Sequence, residues 1–117
     1  MEKKDVMVDL RVNRRESGLC NKDLAHLLDI SASRVARLQT GNATLTVDEL
    51  IALCLIFGKN VDQLLARTSE QIARQIKLSL ADMPDEPDNW IAHDKRLDCL
   101  NALIERLQVL TLPTYDF

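Results

Sequence analysis

Residues 21–40, NKDLAHLLDISASRVARLQT, read as two short helices that meet at a tight turn. Leu24 and Leu28 lie four apart on one face of the first helix, and Ala25 is small enough for a second helix to approach closely. Ile30 follows the turn, and Val35 and Leu38 define the buried side of the second helix. Its other positions, Ser31, Ala32, Ser33, Arg34, Ala36 and Arg37, are small, polar or basic. A helix buried on one side and short and basic on the other has the shape and charge to enter a DNA major groove.

Composition limits what surrounds this segment. The chain has 117 residues, enough for one compact domain with an appendage. Only 3% of residues are aromatic, so a core must be built from Leu, Ile, Val and Ala. Pro and Gly are few and no alternating β-branched run occurs, which predicts an all-α protein. No apolar stretch approaches the roughly 20 residues that span a bilayer. The opening MEKKDVMVDL lacks the apolar centre of a signal peptide, so a cytoplasmic protein that does not engage membranes is expected. Cys20, Cys54 and Cys99 are odd in number and widely spaced, which argues against a disulfide framework or a zinc site, and Cys54 within LIALCLIF reads as core. His26 and His93 have no partners at metal-ligand spacing. With no phosphate-cradling Gly loop and no nucleophile–base pair, an enzyme is not expected, and neither a metal nor a cofactor is implied.

The net charge of −3 is unevenly distributed. Through Arg67, ten basic residues face nine acidic ones; beyond it, five face nine. The acidity therefore belongs to the C-terminal part. The near-neutral N-terminal part predicts a modest, salt-sensitive grip on DNA.

Boundary chemistry divides the N-terminal part into five helices. The first runs from about Asp5 to Ser17, with Val8, Leu10, Val12 and the following Leu19 as core candidates, and Gly18 supplies its stop. The second starts near Cys20 or Asn21, with Asn21 a competent N-cap. The third begins at Ser31 and ends before Gly41. Thr46-Val47-Asp48-Glu49 is a capping box that opens a fourth helix, whose Leu50, Ile51, Leu53, Cys54, Ile56 and Phe57 predict heavy burial. Asn60-Val61-Asp62-Gln63 opens a fifth, directing Val61, Leu64 and Leu65 inward.

Five such helices, with SGLCNKDLAHLLDIS, RVARLQTG and LTVDELIALCLIFGKNVDQLL in succession, resemble the phage-repressor-like DNA-binding domain of the Xre family of bacterial and phage regulators. The resemblance covers roughly residues 9–65 and implies a helix-turn-helix formed by the second and third helices. Four positions depart from the family pattern. Asp29 stands where the turn usually holds Gly, and Asp tolerates the required positive φ better than most side chains. Cys20-Asn21 replaces Thr or Ser followed by Gln, which shortens a phosphate-reaching side chain by one methylene. Gln39 replaces an acid that ordinarily pairs with a base at the position of Arg14, so a weaker Arg14–Gln39 hydrogen bond is expected, leaving Arg14 with charge to offer a phosphate.

The resemblance places the base-reading positions at Ala32, Ser33 and Arg37, with Ser31 and Arg34 beside them. Arg37 is the strongest candidate, because a guanidinium bonds both acceptors of a guanine edge. Ser33 can donate to either base type, Ala32 can pack on a thymine methyl, and Arg34 suits a phosphate as well as a base. Arg14, Asn21, Asn42 and the amides near Gly41 are the expected phosphate contacts, which set register without reading sequence. The competing expectation for each Arg is a solvated charge paired with a nearby acid.

Residues 68–117 form a helical extension to this domain of residues 1–67. Thr68 to Gln71 can cap a sixth helix carrying Ile72, Ile76 and Leu80, and MPDEPDN breaks it as an exposed linker. A last helix is expected from Trp90 to Leu110. Its Leu97, Leu100, Ile104 and Leu107 step by three, four and three, the spacing of a helix-pairing seam, which Trp90 extends backwards and Leu103 and Leu110 widen. That face either packs on the N-terminal part or forms a homodimer interface. In the tail LPTYDF, Tyr115 and Phe117 are exposed aromatics that either pack at a subunit boundary or belong to a disordered end. The leading expectation is a dimeric repressor that binds double-stranded DNA at a two-fold symmetric operator. The competing one is a protein-binding module, an antitoxin or anti-activator, that holds a protein partner through its acidic C-terminal helices.

Overall fold

The computed structural model describes residues 3–111, and Tyr115 and Phe117 lie outside them. The described residues form seven helices and no strands: α1 (Lys3–Ser17), α2 (Asn21–Leu28), α3 (Ala32–Thr40), α4 (Val47–Phe57), α5 (Val61–Leu64), α6 (Ala66–Leu80) and α7 (His93–Leu110). They fall into two compact units, Met1–Ser69 and Glu70–Phe117, and α6 runs across the division.

The first unit is built around Leu10, Leu24, Ala25, Val35, Leu38, Leu53, Leu64 and Leu65, an aliphatic core as the scarcity of aromatics requires. Each early helix ends where its sequence provides a left-handed residue. Asp29 closes α2 at φ 54°, and its backbone N–H returns to the Ala25 and His26 carbonyls. Gly41 at φ 79° and Gly58 at φ 64° close α3 and α4. Thr46 and Glu49 form the expected capping box on α4, as do Asn60 and Gln63 on α5. The start of α2 differs from expectation: Cys20 is the N-cap and Asn21 the first helical residue. The Asp23 carboxylate accepts the Cys20 N–H at 2.9 Å, and this backbone hydrogen bond holds the Asp23 carboxyl below its usual range.

Burial of α4 is one-sided rather than general. Leu53 is buried and Leu50, Cys54, Ile56 and Phe57 are partly buried against the core, whereas Val47, Ile51 and Leu55 are exposed at 72%, 55% and 78%. Those three are spaced by four and share one face, so an apolar sequence all round the helix does not mean neighbours all round it. Cys54 is partly buried, and Val61 on α5 is exposed while Leu64 and Leu65 point inward.

Two buried polar side chains on α1, Asp9 and Asn13, tie the unit together. Asn13 Nδ2 donates to the Asp9 and Leu64 carbonyls at 2.7 and 2.8 Å, and its Oδ1 accepts from Lys59 Nζ at 2.6 Å. Asp9 accepts from the Arg67 guanidinium at 2.9 Å and from the Arg67 backbone N–H at 3.2 Å. The first turn of α6 is therefore capped by a carboxylate from α1, and Thr68 to Gln71 lies within the helix rather than capping it.

Among the described residues of the second unit Ala73 and Leu107 are the buried apolar ones, and Ile72, Ile76, Leu97 and Ile104 stay between 37% and 49% exposed. Lys77, Leu80 and Ala81 face Ile104, Leu107 and Gln108, and Lys77 Nζ bonds Thr111 Oγ1 at 3.2 Å. The last helix starts at His93, three residues later than expected, because Asn89 turns the chain at φ 56°. Trp90 thus lies between two turns ahead of α7, outside the seam it was expected to extend. The linker is fastened to α7: Glu86 meets His93 Nδ1 at 2.6 Å, and Arg96 Nη2 donates to the Pro84 carbonyl at 3.0 Å.

Candidate nucleic-acid interface

The turn at Asp29 sets α3 across α2 and leaves Ser31, Ala32, Ser33, Ala36, Arg37 and Thr40 exposed, while Val35, Leu38 and Gln39 are buried. Ser31 is the N-cap, its Oγ accepting the Arg34 N–H at 3.1 Å. Ser33 and Arg37, four residues apart, share the outer face. Among the described residues the Arg37 guanidinium makes no hydrogen bond or ion pair. Its donors are all available to a ligand.

Arg34 is placed differently. Its Nε and Nη2 meet Glu49 Oε2 and Oε1 at 2.7 and 2.8 Å, and Nη2 also donates to the Thr44 carbonyl at 3.0 Å. The fork that would read a guanine is occupied, so the geometry takes Arg34 off the list of free base readers and leaves Nη1 alone for an outside acceptor. Arg34 is paired with a nearby acid, as the competing expectation has it, but half-buried rather than solvated. The partner, Glu49, was read from sequence only as the second half of the Thr46 capping box, and it fills both roles: Oε1 also accepts the Thr46 N–H at 2.8 Å.

Hydrogen bonds from Arg34, opposed by desolvation and aided by those from Thr46, hold the Glu49 carboxyl down at about 2 from an ordinary 4.5. A depressed folded-state pKa contributes stability that is complete above about 4.5 and lost as pH falls from there towards about 2. Glu49→Gln should remove that component of acid unfolding and cost on the order of 2 kcal/mol at neutral pH. Superimposable acid-unfolding curves for the two proteins below pH 4.5 would refute this assignment.

The phosphate-contact candidates divide as well. The Gly41 and Asn42 backbone N–H groups both turn back to the Arg37 carbonyl, so neither amide is free, and Asn42 Nδ2 donates to Thr40 Oγ1 at 3.1 Å. Arg14 makes the expected bond to Gln39: Nε donates to Oε1 at 3.0 Å, and Nη1 reaches the Leu19 carbonyl at 3.2 Å. Gln39 Nε2 in turn donates to Asn21 Oδ1 at 2.8 Å. Two features escaped the sequence reading. Arg11 Nε donates to the Gln39 carbonyl at 2.8 Å near the end of α3, and Lys22 lies exposed beside Asn21 in the first turn of α2. Only the position of Lys22 next to Asn21 could have signalled it.

An exposed, partly basic helix held across a second helix by a left-handed turn defines a helix-turn-helix DNA-binding protein. Residues 9–70 match the family of Cro/C1-type HTH DNA-binding domains, and the chain belongs to that family. Comparisons with curated proteins and with solved structures gave no match. Among the described residues no helix is long and apolar enough to cross a membrane, and no group of three His, Cys, Asp or Glu side chains is placed to hold a metal ion.

Proposed function

We propose that the chain is a dimeric, sequence-specific transcriptional regulator, most simply a repressor that occupies a promoter. The observation that carries this reading is the exposed face of α3, where Ser31, Ala32, Ser33 and an Arg37 unpaired among the described residues stand clear of the core. Arg37 discriminates bases, Ser33 supports it, and Arg14, Asn21, Lys22 and Asn42 set register on phosphates.

What supports dimerisation is the small interior of the second unit. A pair of helices that buries little more than Ala73 and Leu107 and leaves Ile72, Ile76, Leu97 and Ile104 partly uncovered is too small to be stable alone. A second copy completes it through Leu97, Leu100 and Ile104. Leu107 is excluded from that set because it is 3% exposed and already used inside the chain. One recognition helix reads few base pairs, and a two-fold dimer doubles the site.

Selection from random duplexes with the purified protein should return a two-fold symmetric motif, its half-sites about 10 base pairs apart. Leu97→Asp with Ile104→Asp should yield monomers that retain only half-site binding. The acidic charge of the second unit and its uncovered apolar side chains also fit a protein-binding module. No enrichment at low salt would shift the assignment to that reading.

A further inference from the structure

We infer that Gln39 is a positioning residue for DNA binding, acting through Asn21. The inference rests on the DNA-binding reading above and concerns how one phosphate contact is prepared. Gln39 is 8% exposed and lies between two side chains that reach the surface. Arg14 has only donors, so its Nε at 3.0 Å must face the Gln39 oxygen. The Gln39 amide group is thereby fixed, and its Nε2 points at Asn21, 2.8 Å from Oδ1. Asn21 must accept there, which leaves its Nδ2 without a partner among the described residues. The relay runs in one direction, from guanidinium to amide to amide, and it ends in a pair of N–H groups offered outward from the first turn of α2. Those are the donors that a phosphate needs.

A carboxylate at position 39 cannot build this relay. It would accept from Arg14 and form an ion pair, but it has no proton to give Asn21. Asn21 would turn its Nδ2 inward to the carboxylate and present Oδ1 to the DNA. Gln39 thus exchanges a stronger internal pair for an oriented donor at the surface, and leaves the Arg14 charge without an acidic partner at this position.

The test is a double-mutant cycle on the full chain, with a mixed-sequence duplex at low salt as the probe, because a phosphate contact is independent of sequence. Gln39→Glu should bind at least tenfold more weakly than wild type while its melting temperature holds or rises. Part of that loss is simply an added negative charge. In an Asn21→Ala background only the charge remains, so the cost of Gln39→Glu should shrink about tenfold. Equal cost in both backgrounds overturns the inference, as does a fall in melting temperature large enough to account for the lost binding. Failure of the wild-type chain to bind any duplex would be a different result, overturning the DNA-binding reading and this inference with it.

Discussion

Arg37→Ala is expected to weaken binding to the selected operator by roughly 5- to 150-fold, the equivalent of a lost bidentate base contact worth about 1–3 kcal/mol. Arg37 stands on the open face of α3 one turn after Ser33, and among the described residues nothing in the chain competes for its guanidinium. Its removal costs the fold little, because the buried side of the same helix is Val35, Leu38 and Gln39. The preference should relax at one base pair in each half-site, while affinity for unrelated duplexes falls far less. Arg34→Ala provides the contrast. With Glu49 and the Thr44 carbonyl as its partners, Arg34 should register as lost stability, with base preferences intact. Unchanged operator affinity and preference in Arg37→Ala would remove Arg37 from the reading surface.

Asn13→Leu should be among the most destabilising exchanges in the first unit, costing about 2–4 kcal/mol and lowering the melting temperature by 10 °C or more. The side chain fits by volume but carries none of the three bonds Asn13 makes. The Leu64 carbonyl belongs to a residue with no exposed surface and would lose its side-chain donor, and Lys59 would keep only the longer approach to Glu16 at 3.3 Å. Asn13→Asp separates these contributions. It restores an acceptor for Lys59, indeed a charged one, but has no N–H for Leu64. Because the buried carbonyl dominates, Asn13→Asp should recover little of the loss. Full recovery would place the stabilisation in the Lys59 contact instead.

Much of this protein is legible from local chemistry. Gly41, Gly58 and Asp29 mark helix ends because each occupies a left-handed turn there, and Thr46 and Asn60 mark helix starts because their side chains satisfy nearby N–H groups. The apolar periodicity of 24–38 identifies the helix pair, and the Arg14–Gln39 bond follows from the residue types at two matched positions. These features depend on residues close in sequence or on a pattern shared by a family. Where that reading was too simple, solvent access decided: the outer stripe of α4 and Val61 are apolar yet exposed, and Leu107 is spent inside the chain instead of on a partner.

What the sequence alone determined was the all-α class, the ends of α2, α3 and α4, the helix-turn-helix and the candidate reading face. Tertiary structure alone decided which polar groups on that face are free. Arg34 and Arg37 are three residues apart on one helix and equally basic, but Glu49, fifteen residues after Arg34, engages one and leaves the other open. Asp9 likewise caps a helix that begins more than fifty residues later. The reason is physical: a buried carboxylate or amide takes whichever donors the packing brings within about 3 Å, and that choice depends on how the helices cross rather than on the spacing along any one of them.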